Sequence, residues 1–224
     1  MTTRPAARVV VVDDDRSVRT SLARLVRSAG YEVEALASAR EFLARPPTDV
    51  PACLVLDVRM PGLTGLELQE LLATTGRRLA IVFISGHLDV PASVSAMKHG
   101  AIDFLVKPVL PKDLLAAIAR GVAQASQARR AQAEADELQE RMKRLTPREA
   151  EVFALVVTGL LNKQIGGQLG IGEKTVKVHR AQVMRKMRAG SLAELVQLAS
   201  QTGVLAVKPP SLDLGPVPPA SPSR

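Results

Sequence analysis

Along the first half of the chain, short apolar runs alternate with stretches whose apolar positions recur at helical spacing. Arg8 to Val12 passes through four consecutive valines into Asp13, Asp14 and Asp15, a β-branched run suited to a strand buried on both faces. The period then changes: Val18, Leu22, Leu25 and Val26 form one helical stripe within Ser17 to Ala29, and Gly30 stops it. Tyr31 to Leu36 predicts a strand, Ala39 to Leu43 a short helix, and Leu54 to Asp57 an apolar strand that breaks at once into Pro61-Gly62. A helix over Leu66 to Ala73 follows, then a strand over Leu79 to Ile84, a helix over Val90 to His99 ended by Gly100, and a strand over Ile102 to Val106. Five strands alternating with helices predict an α/β fold built on a doubly wound, five-stranded parallel sheet.

Beyond Pro111 the strand pattern disappears. Leu114, Leu115, Ile118 and Val122 give one helix a buried face. From Ala123 to Glu137 the residues are nearly all Ala, Gln, Arg and Glu, strong helix formers without a stripe, which predicts a solvated helical spacer. Continued from Leu114 to Arg144, that helix would span roughly 45 Å. Thr146, Pro147 and Glu149 then carry the signature of a helix start, and Val152, Leu155 and Val156 point inward. Asn162 is expected to cap a short helix over Lys163 to Leu169, and Gly170-Ile171-Gly172 to turn into a longer basic helix over Lys174 to Arg188. Two helices joined by a tight Gly-containing turn predict a helix-turn-helix within an all-α domain. The expected organisation is a first domain over residues 1–122, a helical linker over 123–144, the helix-turn-helix domain over 145–207 and a disordered Pro- and Ser-rich tail over 208–224.

Charge sharpens this division. The chain has 224 residues and a formal net charge of +8, yet residues 1–140 hold 17 basic and 17 acidic side chains. Residues 141–208 hold 12 basic against 4 acidic, so the whole excess lies in the helical second half. Such a concentration is the electrostatic footprint of a nucleic-acid binder, with a surface kept basic for solubility as the alternative. No apolar run approaches the roughly 18 residues of a membrane span, and no apolar segment of the signal-peptide kind follows MTTRPAAR. Together with the single cysteine, Cys53, these features predict a cytoplasmic protein without membrane contact.

A parallel sheet gathers the carboxyl ends of its strands on one rim. That rim would bring together Asp13, Asp14, Asp57, Ser85 and Lys107. Adjacent carboxylates suit a cation, and Mg²⁺ fits best because it binds through one or two carboxylates together with water and phosphate oxygens. Helix capping is the alternative for Asp13 or Asp15, and turn formation for Asp57. The set as a whole is equipped for phosphoryl transfer: a cation and a lysine neutralise phosphate charge while a carboxylate serves as acceptor. Ser85 lacks the base and orienting acid of a hydrolase, and His87, His99 and His179 are expected to be structural or surface residues. In the basic helix Val176, Val183 and Met187 follow core spacing. This leaves Lys177, Val178 and Ala181 outward, with Lys174, Thr175, Arg180 and Arg185 beside them, as a major-groove reader requires.

Residues 8 to about 120 resemble the receiver domain of two-component response regulators, in the FixJ-like branch of the FixJ/NarL family, through VVVVDDD, LVLDVRMPGLTG, FISGHLDVP and AMKHGAIDFLVKP. The resemblance implies that Asp57 accepts a phosphoryl group from a sensor histidine kinase. It implies that Asp13 and Asp14 form the acidic pair, with Asp14, Asp57 and the backbone carbonyl of Arg59 on Mg²⁺. Ser85 takes the switch position, Lys107 the phosphate-pairing position before a cis bond to Pro108, and Phe104 the aromatic that turns on activation. Residues 145–205 likewise resemble the LuxR-type DNA-binding domain through LTPREAEVFALV, LLNKQIGGQLGIGEKTVKVHRAQVMRKM and AELVQLA, with Lys177 and Val178 where bases are contacted. The departures are Arg16, Gly166-Gly167, Gly172 and Ala181. Gly166-Gly167 and Gly172 predict a softened helix-turn-helix.

The implied function is that of a transcription regulator, not an enzyme. Phosphorylation would cause it to form a homodimer through the face from Val90 to Val106 and to bind promoter DNA, with RNA polymerase as a further partner left open. The alternatives are a phosphorylation-independent DNA-binding regulator with a vestigial receiver and a Mg²⁺-dependent phosphatase turning over on Asp57.

Overall fold

The computed structural model describes residues 7–46, 52–77, 79–87 and 89–202; the stretch 208–224, expected as a disordered tail, lies outside them. The strands are β1 (Arg8–Val12), β2 (Glu32–Leu36), β3 (Ala52–Asp57), β4 (Ala80–Ser85) and β5 (Asp103–Val106), paired in parallel in the order β2-β1-β3-β4-β5. Helices α1 (Arg16–Ser28), α2 (Ala39–Leu43), α3 (Gly65–Thr74) and α4 (Val90–Lys98) connect them, and α5 (Pro111–Lys143) follows β5.

Strand periodicity sorts the core into two layers. Val10, Val12, Leu54, Leu56, Ile81 and Phe83 face α2, α3 and α4 through Phe42, Leu68, Leu72 and Ala96. Val9, Val11, Cys53, Val55, Val82 and Ile84 face α1 and α5 through Leu22, Val26, Leu114 and Ile118. Because alternate side chains leave a strand on opposite faces, β1, β3 and β4 are apolar at nearly every position. Burial pushes the Cys53 thiol up to about 12, so it packs as an inert apolar group.

The chain divides into two compact units between Ala131 and Gln132. This division falls inside the expected linker, and the expected spacer is only part of the story. Residues 127–137 are exposed, but an apolar stripe resumes at Leu138, Met142 and Leu145. These three residues join the core of the second unit with helices α6 (Pro147–Val156), α7 (Asn162–Leu169), α8 (Glu173–Met187) and α9 (Leu192–Thr202). Val152, Phe153, Val156, Ile165, Val176, Val183, Met187 and Leu195 complete it.

Thr146 caps α6 as expected, its hydroxyl accepting from the Glu149 amide while the Glu149 carboxylate accepts from the Thr146 amide. Asn162 does not cap α7. Leu161 occupies the N-cap, its amide donating to the Gln164 side chain, and Asn162 is the first helical residue, its side-chain oxygen turned to Arg180.

Candidate functional site

The carboxyl ends of β1, β3, β4 and β5 lie side by side, with Val12 beside Leu56, Asp57 beside Ile84 and Ser85 beside Val106. Register alone therefore converges Asp13, Asp57, Ser85 and Lys107. Close packing sharpens the placement: Gly65 opens α3 directly against the end of β3, where an added Cβ would lie 2.3 Å from the Asp57 carbonyl oxygen. Only glycine allows α3 to begin this near the carboxylate-bearing residue.

Lys107 joins two of the carboxylates. Its Nζ lies 2.8 Å from Asp13 Oδ2 and 3.1 Å from Asp57 Oδ2. Asp13 is fully buried, and its other oxygen accepts from the Asp15 amide at 2.9 Å. Asp15 is the helix cap, accepting from the amides of Ser17 and Val18. The capping alternative thus belongs to Asp15, while Asp13 faces the rim. Asp14 is exposed, and Asp13, Asp14 and Asp57 each offer an oxygen with all three atoms within 4.8 Å of one another. That spacing and all-oxygen chemistry fit a small hard cation such as Mg²⁺.

The electrostatics are those of a buried carboxyl beside a lysine. Burial, the largest influence, pushes the Asp57 carboxyl above the usual aspartate range and Asp13 adds to the rise; Lys107 and the Arg59 amide work against it. Burial also works against the Lys107 ammonium, but its bonds to Asp13 and Asp57 outweigh this and hold its pKa above the usual lysine value. The Asp57 carboxyl is thus kept short of water, next to a lysine able to neutralise phosphate charge.

The surrounding expected residues are placed individually. Ser85 is buried, and its hydroxyl donates to the His87 carbonyl at 2.9 Å. The Lys107 amide donates to the Ser85 carbonyl at 2.7 Å, and the Lys107–Pro108 peptide is cis. Phe104 is half-buried, its ring centroid 6.2 Å from that of Phe83. The Arg59 guanidinium lies 3.7 Å from Asp89, the cap of α4. His99 Nδ1 lies 2.8 Å from the Ser95 carbonyl oxygen at the end of α4, away from the carboxylates.

In the second unit, α8 buries Val176, Val183 and Met187 and exposes Lys174, Thr175, Lys177, Val178, Ala181 and Arg185. Arg180 is half-buried, held 3.2 Å from Asn162. Near the far end of α8, Lys186 pairs with Glu149, and the Met187 carbonyl accepts from Arg141 at 3.2 Å. The middle and the C-terminal end of the basic helix are therefore tied to neighbouring helices, while Lys174, Thr175, Lys177, Val178, Ala181 and Arg185 stay exposed.

Several residues that support the site leave little trace in the sequence pattern. Gln69 is buried and donates to the Ala96 and His99 carbonyls, linking α3 to the end of α4. Its one signal was a polar residue beside the helical positions of Leu68 and Leu72. Arg19 donates to the carbonyls of Asp13 and Asp14, a bond to backbone that side-chain patterning does not reveal.

Known proteins resemble this chain in sequence and fold. Residues 9–119 match the response regulator receiver domain family, and residues 143–199 match the family of bacterial regulatory proteins of the luxR type. Nodulation protein W of Bradyrhizobium diazoefficiens is 48% identical over 198 residues, 88% of this chain and 87% of the relative. Transcriptional regulatory protein FixJ of Azorhizobium caulinodans is 45% identical over 197 residues, covering 88% and 93%. The solved structure of the response regulator StyR superposes with a TM-score of 0.82 at 48% identity, covering 88% of this chain and 99% of that one. No helix among the described residues is long and apolar enough to cross a membrane. With an acidic rim and lysine in one unit and an open basic helix in the other, the chain belongs to the FixJ-like two-component response regulators, transcription regulators that join a receiver domain to a LuxR-type DNA-binding domain.

Proposed function

We propose that this chain acts in the cytoplasm, that Asp57 is the phosphoacceptor and that its phosphorylation by a sensor histidine kinase controls DNA binding. The observation that carries this reading is the bridge from Lys107 to Asp13 and Asp57, with Asp14 exposed beside it. Asp14, Asp57 and the Arg59 carbonyl would hold Mg²⁺, with Asp13 completing the acidic pair; when bound, the ion neutralises charge on the phosphoryl oxygens. An Asp57 oxygen attacks phosphorus, forming the acyl phosphate as the bond to the kinase histidine breaks and the imidazole leaves. Lys107 exchanges a carboxylate oxygen for a phosphoryl oxygen.

Ser85 then leaves the His87 carbonyl for the phosphoryl group, and Phe104 turns into the space beside it. The face these residues underlie is apolar: Val90, Val94, Met97 and Val106 are 38% to 59% exposed. Its burial in a homodimer would place two copies of α8 on one DNA duplex. Lys177 and Val178 would address base edges, with the Val178 methyls suited to a thymine methyl, and Lys174, Thr175, Arg180 and Arg185 would address phosphates.

Intact-mass measurement of the full chain after incubation with Mg²⁺ and a small acyl phosphate tests the acceptor. The wild type should gain one phosphoryl group, and Asp57→Asn or chelation of the cation should prevent it. Uptake by Asp57→Asn as fast as by the wild type would overturn the assignment.

A further inference from the structure

Arg19 lies on the first turns of α1, and its Nη1 donates to two successive carbonyls, 2.6 Å to Asp13 and 3.1 Å to Asp14. These carbonyls belong to the peptide groups on either side of the Asp14 Cα. Holding both peptide planes fixes the two backbone dihedrals between them, and with those the direction in which the Asp14 side chain leaves the chain. Asp13 is fixed separately, through the Asp15 amide and Lys107. Asp14 is exposed, so its backbone is what aims it.

We infer that Arg19 is a positioning residue for the cation site, presetting the Asp14 carboxylate toward Asp57. This rests on reading Asp13, Asp14 and Asp57 as the Mg²⁺ site. Simple electrostatics points the other way: a guanidinium beside an acidic cluster repels a divalent cation, so charge alone would have its removal tighten Mg²⁺ binding. Loss of positioning has the opposite sign, because outer partners that orient ligands contribute roughly 10- to 100-fold to metal affinity. A lysine retains the charge, but its nitrogen ends where the guanidinium carbon sits and falls short of the two carbonyls.

Calorimetric titration of the full chain with Mg²⁺ separates these effects in wild type, Arg19→Gln, Arg19→Lys, Asp14→Asn and the double variant Arg19→Gln/Asp14→Asn. Arg19→Gln should weaken Mg²⁺ binding roughly tenfold, and Arg19→Lys should weaken it too despite its retained charge. In the Asp14→Asn background, adding Arg19→Gln should have little further effect, since Arg19 acts through Asp14. Phosphorylation by an acyl phosphate should need more Mg²⁺ in Arg19→Gln and recover near the wild-type rate at saturation. Unchanged or tighter Mg²⁺ binding by Arg19→Gln would overturn the inference, and should that variant not fold, wild-type affinity in Arg19→Lys would do the same. Failure of the wild type to bind Mg²⁺ would instead overturn the site reading and the inference with it.

Discussion

At Gly166 an added Cβ would lie 2.7 Å from the Ile171 carbonyl oxygen, whereas at Gly167 it would meet nothing within 4 Å. Adjacent glycines in α7 therefore have opposite roles. Gly166 lets the helix press against its own turn, and the Ile171 amide donates back to the Gly166 carbonyl at 3.0 Å. Gly167 leaves backbone freedom without a packing return. Gly167→Ala should stabilise the second unit by about 0.5 to 1 kcal/mol, whereas Gly166→Ala should destabilise it by about 1 to 3 kcal/mol through overpacking. Thermal unfolding of the full chain followed by circular dichroism checks both signs, and stabilisation by Gly166→Ala would contradict the packing account. The sequence expectation that both glycines soften the motif suits Gly167; the role of Gly166 depends on a carbonyl across a turn, invisible to helix propensity. At the acidic rim the same limit applies. Asp13, Asp57 and Lys107 were legible because each ends an apolar strand, but the division of labour between Asp13 and Asp15 is set by where the chain turns.

Among the elements, strands and amphipathic helices were legible from period, because their partners lie across a sheet that itself dictates the alternation. The end of α5 was not. Leu138, Met142 and Leu145 form too short a stripe amid charged residues to stand out, and the core that receives them comes from α6 to α9. Phe153, fully buried beside Val152, was missed for a related reason: the three-residue stripe assigned to α6 was narrower than the face it buries. Glu149 shows how these elements are joined. Its carboxylate caps α6 and pairs with Lys186 of α8, and the hydrogen bond from Lys186 and that from the Thr146 amide hold its pKa below the usual glutamate value. A proton thus binds Glu149 more weakly in the folded than in the unfolded chain. Its stabilisation is full above the unfolded value, about 4.3, and is lost as pH falls through the lower folded value. The second unit should accordingly lose thermal stability below about pH 4.3. Glu149→Gln should cost about 1 kcal/mol at neutral pH and show a shallower acid decline. Melting curves at neutral and acid pH check this, and an equally steep decline in the variant would contradict it.

At the scale of the whole molecule, charge and chemistry are segregated. Residues 1–140 are balanced in charge and include the carboxylate rim, while the net charge of +8 resides after residue 140, where α8 presents Lys174, Lys177 and Arg185. This segregation was plain in the sequence, since it needs only counting along the chain. The central claim is that the charge state of Asp57 governs what the basic unit binds. The most direct measurement is the affinity of the full chain for DNA enriched from random duplexes by the phosphorylated protein, at fixed salt, with and without an acyl phosphate and Mg²⁺. The wild type should bind at least about tenfold more tightly after phosphorylation, and Asp57→Asn should not respond. An equal response in Asp57→Asn, or none in the phosphorylated wild type, would contradict the account.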